Sequence, residues 1–260
     1  METDISFKIA GEAGQGLQAI GYVLAKSLAR SGLYVFANQD NESRIRGGHN
    51  FFQVRASDKP VNAASNQVHL IVALDERGVM EHRTELVQNG VIIFDGEKIK
   101  ISDTSGNLLR VPFERLANEK TGKKIMVNSV SVGAMLSLVR YDFSILKLVL
   151  DDVFRAKGSD VVQQNIDAAK AGYDYVTAHP NSKFNYAVQS DTLSSNRLLI
   201  NGNEALASSA LISGCKFMSS YPMSPSTPIQ QFFASKMKDY RVVFEQAEDE
   251  IAAINMAIGA

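Results

Sequence analysis

The chain has 260 residues, 45% of them hydrophobic, which is enough to bury the core of one large or two small domains. Its 27 Lys and Arg residues against 28 Asp and Glu leave a formal net charge of -1. This balance produces no field that would attract nucleic acid or anionic lipid, so we expect a globular protein that binds neither nucleic acid nor membranes.

The sequence has no leader with a basic and then an apolar region, and no run reaches the roughly 18 apolar residues of a membrane span. These features predict a cytoplasmic location. The one cysteine, Cys215, cannot supply the four thiolates that an iron–sulfur cluster usually takes, so any cluster is expected on another chain. The four histidines lack the spacing of metal ligands, so no metal site is expected.

The first part of the chain alternates between strand and helix patterns. Short apolar or alternating runs predict strands, and helical periodicity or composition predicts the helices between them. These residues, 1–177, therefore predict one complete open α/β sheet domain. The strands are expected at 5–10, 32–37, 50–55, 69–74, 91–94 and 125–127, and the helices at 17–28, 75–89, 130–139 and 160–175.

A polar, irregular segment at 178–196 has the composition of a linker, and residues 197–260 open a second unit. Strands are predicted at 197–200, 216–218 and 241–244, each followed by a helix, at 202–214, 229–237 and up to Ala260. About sixty residues are fewer than a domain usually has. We therefore expect the first part of a second α/β domain, truncated.

Two glycine-rich motifs lie in the first domain. Gly11, Gly14 and Gly16 separate a strand from a helix, where they suit either a tight turn or an anion at the helix N-terminus. The G-x-x-G-x-G spacing is not that of a dinucleotide fold. The second motif comprises Arg44, Arg46, Gly47 and Gly48. It suits an anion or interface site, or a solvated loop, and we favour binding because both motifs are expected at one sheet edge.

Two further motifs lie in the second unit. Ser219–Pro228 contains three prolines, which fix a rigid turn and hold its hydroxyls in set positions, and Thr227 before Pro228 suits a helix N-cap. In Glu245–Asn255 a strand leads four carboxylates into an alanine-rich helix. At least two of the four are expected to be surface or capping groups, which leaves one for function.

With these motifs the chain resembles the alpha subunit of the 2-oxoacid:ferredoxin oxidoreductases, in the form that fuses a gamma domain to the pyrimidine-binding domain. The family's Tyr-Pro-Ile-Thr-Pro-Ser-Thr turn matches Tyr221 to Thr227, with departures at Met223 and Ser224. Residues 246–254 match the family's next segment, and the two glycine motifs match the gamma domain.

The resemblance implies thiamine-diphosphate chemistry: oxidative decarboxylation of a 2-oxo acid to an acyl-CoA, with electrons passed to ferredoxin. For the substrate, the resemblance to the fused form of the family favours 2-oxoglutarate. Thiamine diphosphate would be shared with a beta subunit, which would hold the Mg²⁺ and an iron–sulfur cluster. The chain would therefore work in a hetero-oligomer and would be inactive alone.

The resemblance also implies site residues. Ser224 would contact the substrate and Glu250 the pyrimidine nitrogen of thiamine, with Glu248 as the competing carboxylate. The glycine motifs would bind an anion such as CoA, or form an interface. Further substrate or cofactor contacts would come from the turn, namely Tyr221, Pro222, Pro225, Ser226 and Thr227.

Two other interpretations remain open at this point. A non-catalytic module that binds CoA or a nucleotide and docks to a partner would explain the glycine loops, but not the proline turn. A nicotinamide dehydrogenase would need a different glycine spacing.

Overall fold

The computed structural model describes residues 3–42, 48–102, 107–188 and 198–260. The chain divides into two compact units, Met1–Arg197 and Leu198–Ala260. Within the described ranges, none of the helices combines the length and the apolarity needed to cross a membrane.

The first unit is built on a six-stranded mixed sheet in the order β2-β3-β1-β4-β5-β6. β1 pairs in parallel with β4, and β4, β5 and β6 continue in parallel, whereas β3 runs antiparallel to both β1 and β2. The strands are β1 Asp4–Glu12, β2 Tyr34–Asn41, β3 His49–Ser57, β4 Val68–Ala73, β5 Leu86–Phe94 and β6 Leu108–Arg110.

Six α-helices accompany this sheet. Buried apolar residues of β1, β4 and β5 form its centre, as expected of strands covered on both faces. The helices are α1 Leu17–Arg30, α2 Glu76–His82, α3 Phe113–Thr121, α4 Val127–Leu138, α5 Phe143–Phe154 and α6 Ser159–Ala178, with 3₁₀ turns at Arg83–Glu85, Lys124–Met126 and Arg155–Lys157.

The second unit alternates helix and strand around a small parallel sheet of β7 and β8. Ala207, Leu211, Phe233 and Val242 form its buried core. The elements are α7 Gly202–Ile212, β7 Phe217–Ser220, α8 Thr227–Tyr240, β8 Val243–Gln246 and α9 Glu250–Gly259. Together with the first unit, they confirm the predicted α/β class and a second α/β unit.

Three predicted elements are wrong. Residues 125–127 form no strand, because the apolar run completes a 3₁₀ turn and opens α4; so short a run does not distinguish strand from helix. The helix predicted at 75–89 ends at His82, since the next apolar residues join β5. Residues 198–200, the described part of the strand predicted at 197–200, are not a strand.

The asparagine before Gly90 has a left-handed backbone conformation inside a strand. Asn89 has a φ of 62°, but it lies inside β5, where the pairing with β4 shifts register. The residue therefore marks a β-bulge and not a helix end.

The first residues of the segment predicted as a linker are packed on the first unit. α6 continues to Ala178, and Phe184 and Val188 are buried. The Val188 N–H donates to the Val139 carbonyl at 2.9 Å, and the Tyr186 hydroxyl donates to the Gln88 carbonyl at 2.9 Å. Residues 189–196 lie outside the described ranges.

Candidate functional site

The proline turn and the acidic helix of the second unit line one cleft, which we call the turn–helix cleft. Its volume is about 350 Å³. β7 leads into the turn and β8 into α9, and since the two strands are parallel neighbours their carboxyl ends meet at one edge. The cleft is lined by Ser219, Ser220, Tyr221, Met223, Ser226, Glu250, Ala253, Ile254 and Ala257.

A buried glutamine fixes the turn to α8. Gln230 is 3% exposed, and its Nε2 donates to the Ser220 Oγ at 2.7 Å and to the Tyr221 carbonyl at 2.8 Å. The Ser219 hydroxyl donates to the Ala253 carbonyl at 2.6 Å, which ties the end of β7 to α9. These bonds hold the cleft walls in fixed positions.

The hydroxyls of the turn have distinct roles. The N-cap of α8 is Ser226 and not Thr227, which is the first helical residue; the Ser226 hydroxyl donates instead to the Met223 carbonyl at 2.7 Å. Ser224 is exposed and is not among the cleft residues. Pro222 and Pro225 are also exposed.

The four acids of the last motif are separated by geometry. Asp249 is the N-cap of α9, and its Oδ1 accepts from the Ala252 N–H at 2.6 Å. Glu250 is the first residue of that helix and lines the cleft. Glu245 belongs to β8. Glu248 is exposed, as Glu250 is, but it lies outside the cleft lining.

The described part of the second glycine motif, Gly48, contacts the first motif. The Ala13 N–H donates to the Gly48 carbonyl at 3.1 Å. Gly14 and Gly16 have φ values of 90° and 80°, whereas Gly11 is part of β1. A Cβ at Gly16 would also lie 2.2 Å from the Asn128 Nδ2, but that side chain can move, so the positive φ is what favours glycine here. Arg44, Arg46 and Gly47 lie outside the described residues.

Beside the first glycine motif is a cavity of about 350 Å³, here the glycine-loop cavity. The N-termini of α1, α3 and α4 reach it. The Asp95 carboxylate already accepts from the Glu114 N–H of α3 at 2.9 Å, so the backbone N–H groups of α1 and α4 are the ones that favour a further anion. It is lined by Gly14, Gln15, Gly16, Leu74, Asp95, Lys98, Phe113, Glu114, Lys124, Ile125, Val127 and Asn128.

The charges of this cavity form one network. Lys98 and Lys124 lie 2.7 and 3.7 Å from Glu114, and the hydrogen bond from Lys98 lowers the pKa of that carboxyl. The buried Asp95 accepts from the backbone N–H groups of Glu97, Lys98 and Glu114. No motif in the sequence singled out these residues as a site. The Asp95-Gly96 pair, which follows the strand predicted at 91–94, is the sequence feature that could have indicated them.

The described residues hold no group of three or more His, Cys, Asp or Glu side chains arranged for a metal ion. Cys215, the only cysteine of the sequence, is half-buried, and its thiol lies 3.3 Å from the Phe217 carbonyl.

Two family models match the chain. Residues 6–175 match the pyruvate ferredoxin/flavodoxin oxidoreductase model. Residues 208–260, which contain the turn–helix cleft, match the thiamine-diphosphate-binding model of pyruvate flavodoxin/ferredoxin oxidoreductase.

Curated relatives carry related names. A Sulfolobus sp. 2-oxoacid:ferredoxin oxidoreductase subunit alpha is 24% identical over 98% of this chain and 48% of its own length. A Methanocaldococcus jannaschii 2-oxoglutarate synthase subunit KorC is 25% identical over 64% of this chain and 91% of the relative. An Archaeoglobus fulgidus 2-oxoglutarate synthase subunit KorA is 45% identical over 24% of this chain and 18% of the relative.

Solved structures share the fold. A Magnetococcus marinus 2-oxoglutarate:ferredoxin oxidoreductase, with 2-oxoglutarate, coenzyme A and succinyl-CoA bound, has a TM-score of 0.86 at 24% identity, over 100% of this chain and 46% of its own. A Geobacter sulfurreducens oxoacid ferredoxin oxidoreductase gamma subunit has a TM-score of 0.55 at 21% identity, over 67% of this chain and 99% of its own.

The chain spans about half the length of the first of these curated relatives. The first family model alone covers well over half of the chain, and the second covers the unit with the proline turn. The chain therefore belongs to the pyruvate ferredoxin/flavodoxin oxidoreductase family.

Proposed function

We propose that this chain is part of the alpha subunit of a 2-oxoacid:ferredoxin oxidoreductase, and that its turn–helix cleft receives the pyrimidine end of thiamine diphosphate. One observation carries the proposal: the unit that matches a thiamine-diphosphate-binding family brings the rigid proline turn and Glu250 to the same cleft.

The proposed reaction is oxidative decarboxylation of a 2-oxo acid to an acyl-CoA, with electrons passed to ferredoxin. Two names support 2-oxoglutarate as the substrate. A Mycobacterium tuberculosis relative, 22% identical, is named a 2-oxoglutarate oxidoreductase subunit, and the Magnetococcus structure has 2-oxoglutarate and succinyl-CoA bound.

The lining of the cleft fits an aromatic ring with a polar edge. The small side chains of Ala253 and Ala257 leave room beside α9, and Glu250 places a carboxyl group at the N-terminus of the same helix. Thiamine diphosphate would supply the electron sink that decarboxylation requires. Glu250 would hold a proton at the pyrimidine nitrogen, which fixes the ring and its protonation state.

Ser224 would contact the 2-oxo or carboxylate oxygen of the substrate. Its support is position on the turn: Met223 and Ser226 on either side line the cleft, and Gln230 anchors the segment. The turn's remaining groups would shape the pocket around substrate and cofactor, namely Tyr221, Pro222, Pro225, Ser226 and Thr227.

The glycine loops would bind CoA or form an interface. The N-termini of α1 and α4 and the two lysines at the glycine-loop cavity support an anionic ligand such as the CoA phosphates. The residues concerned are Gly11, Gly14, Gly16 and Gly48, together with Arg44, Arg46 and Gly47 of the second motif.

A beta subunit would complete the enzyme in a cytoplasmic hetero-oligomer. It would hold Mg²⁺, the cofactor pyrophosphate and the iron–sulfur cluster, as the family resemblance implies; the one cysteine of the given 260 residues is compatible with this, because a cluster usually takes four. Relatives of this family include separate subunits, among them KorC and the Geobacter gamma subunit. Ferredoxin would accept the electrons.

Exchange of the C2 proton of bound thiamine diphosphate tests the assignment of Glu250. In the assembled enzyme, Glu250→Gln should slow this exchange by orders of magnitude, because an amide cannot share a proton with the pyrimidine nitrogen in the same manner. Glu248→Gln is the matched control and should exchange at the wild-type rate. Slow exchange in the Glu248 variant alone would assign the pyrimidine contact to Glu248 and contradict its assignment to Glu250.

A further inference from the structure

The turn–helix cleft has two walls, and different side chains hold them in place. One wall is the proline turn, to which Ser224 belongs, and the other is α9, which begins at Glu250. In the proposed reaction Ser224 contacts the 2-oxo acid and Glu250 contacts the pyrimidine ring of thiamine diphosphate. A residue that holds only one wall would therefore affect one of these two ligands and not the other.

Strand β7 sends neighbouring side chains to the two walls. Ser219 and Ser220 are its last two residues, and successive side chains of a strand point to opposite faces. The Ser219 hydroxyl donates to the Ala253 carbonyl of α9 at 2.6 Å, whereas the Ser220 Oγ lies 2.7 Å from the Gln230 Nε2 of α8. The end of one short strand therefore contacts both helices, each through its own serine.

The buried amide of Gln230 holds the start of the turn. Gln230 lies in the first turn of α8, and its Nε2 is 2.8 Å from the Tyr221 carbonyl as well as 2.7 Å from the Ser220 Oγ. A carbonyl oxygen can only accept a hydrogen bond, so the amide nitrogen must face the turn, and its two hydrogens serve these two contacts. A side chain of similar length without N–H donors would leave both oxygens without this donor.

The Met223 carbonyl closes the second half of the turn. It accepts from the Ser226 N–H at 2.8 Å and from the Ser226 hydroxyl at 2.7 Å. Ser224 therefore lies between two fixed points, the Gln230 contact before it and the bonds between Met223 and Ser226 around it. Of these two, only the Gln230 contact comes from a side chain outside the proline turn.

The helix wall is held from β7 by Ser219. Ala253, whose carbonyl accepts from Ser219, lies three positions after Glu250, so both residues are on the same side of α9, and both line the cleft. The Asp249 cap on the Ala252 N–H fixes where the helix begins. The Ser219 bond, one turn from Glu250, fixes where the helix lies against the strand and so sets the position of the Glu250 carboxyl group.

We propose that Gln230 and Ser219 are two separate positioning residues of the cleft: Gln230 sets the turn for the 2-oxo acid, and Ser219 sets α9 for the pyrimidine ring. Each acts through the backbone that its side chain holds, the Tyr221 carbonyl for Gln230 and the Ala253 carbonyl for Ser219. This inference rests on the proposed function and divides the work of its site between two residues.

Gln230→Met in the assembled enzyme tests the turn wall, because methionine is of similar length but has no N–H donor. The kcat/KM for the 2-oxo acid should fall roughly tenfold, as for the loss of a buried hydrogen bond. Exchange of the C2 proton of bound thiamine diphosphate, measured without the 2-oxo acid, should stay at the wild-type rate. Gln231→Met is the matched control, since Gln231 is the next residue of α8 and is exposed, and it should change neither quantity.

Ser219→Ala tests the helix wall with the opposite expectation. C2-proton exchange should slow roughly tenfold, because the Glu250 carboxyl group is no longer held in place for proton sharing with the pyrimidine nitrogen. The KM for the 2-oxo acid should stay at the wild-type value. Ser235→Ala removes a hydroxyl from the exposed side of α8 and should alter neither measurement.

Ser220→Ala is the second variant for the turn wall, and it decides the matter if Gln230→Met does not fold. It removes one of the two acceptors of the amide and leaves the bond between Gln230 and the Tyr221 carbonyl in place. The kcat/KM for the 2-oxo acid should therefore fall by less than in Gln230→Met, again with wild-type C2-proton exchange.

Three results would overturn the proposal. A parallel loss of substrate kinetics and C2-proton exchange in both Gln230→Met and Ser219→Ala would show that the cleft is held as one unit. Wild-type kinetics in a Gln230→Met enzyme with a cooperative thermal melt would limit Gln230 to packing of α8, and wild-type exchange in a folded Ser219→Ala enzyme would remove Ser219 from the cofactor wall. A wild-type complex that neither exchanges the C2 proton nor oxidises a 2-oxo acid would instead overturn the proposed function, and this inference with it.

Discussion

At the scale of single residues, the hydroxyls of the proline turn differ in their contacts, and we propose a substrate contact for one of them, Ser224. Ser219 and Ser226 are engaged with backbone carbonyls, whereas Ser224 is exposed on the same anchored turn. We expect Ser224→Ala to lower turnover of the assembled enzyme roughly tenfold, as for the loss of one hydrogen bond of about 1.4 kcal/mol in the transition state.

Steady-state kinetics with the 2-oxo acid substrate measures this effect. Ser235→Ala is the matched control, because the Ser235 hydroxyl bonds only to its own helix, at the Phe232 carbonyl, on the exposed side of α8. Unchanged kinetics in a folded Ser224→Ala enzyme would limit Ser224 to a role in the turn.

His69 makes the stability of the first unit depend on pH. Its Nδ1 accepts from the Ser6 N–H at 3.1 Å, and burial lowers its pKa from 6.5, against the opposing charge of Asp4. The unfolded chain therefore binds more protons than the folded chain as the pH falls below about 6.5, and the free energy of unfolding decreases there.

Urea unfolding of the wild type and His69→Asn across this pH range checks the sign. Asparagine keeps an acceptor near the position of the Nδ1 but does not titrate, so its stability should fall less steeply. Equal slopes for the two proteins would remove His69 as the cause.

How far the sequence predicts the candidate site depends on where its residues lie in the chain. Tyr221 and Glu250 are predictable because each belongs to a continuous motif at the end of a strand, and parallel strands bring such ends together. The ring nitrogens of His49 on β3 and His82 on α2, both Nε2, lie 2.9 Å apart and form a cluster of two between different elements. No local spacing indicates that cluster, so it could not be predicted.

At the scale of elements, α4 and α6 pack through glycines. A Cβ at Gly133 would lie 1.8 Å from the Ala169 carbonyl oxygen, and one at Gly172 would lie 2.0 Å from the Val130 carbonyl oxygen. Backbone cannot move aside as a flexible side chain does, so the helices must separate to accept a methyl group.

Gly133→Ala should therefore destabilise the protein by about 2 kcal/mol or more, despite the better helix propensity of alanine. Chemical denaturation measures the difference. Gly202→Ala is the matched control, since nothing lies within 4 Å of its Cβ and the change should be neutral or slightly stabilising. A neutral Gly133→Ala would contradict the close packing of α4 and α6.

Long buried strands were predictable, and short elements were not. β1 and β4 follow clear apolar patterns, but the three-residue β6 has too few residues to show a period, and α2 passes into β5 within one helix-forming stretch. β3 runs antiparallel to β2 because a short connection joins the two strands. Sequence periodicity does not encode the direction of a strand.

At the scale of the whole molecule, the two units differ in how much apolar surface they bury. The first encloses a six-stranded sheet, whereas the second has a two-stranded sheet. On α9 of the second unit, Ile251, Ile254 and Ile258 are 74%, 58% and 76% exposed. A patch of this kind is typical of a surface that another part of an assembly covers.

We propose that the alpha subunit containing this chain, together with a beta subunit, oxidises a 2-oxo acid. The most direct measurement is reduction of ferredoxin by the purified complex with 2-oxoglutarate, pyruvate or a branched 2-oxo acid, with and without CoA. We expect CoA-dependent reduction, fastest with 2-oxoglutarate, and none by this chain alone. Failure of the complex, loaded with thiamine diphosphate, to reduce ferredoxin with any of these acids would contradict the account.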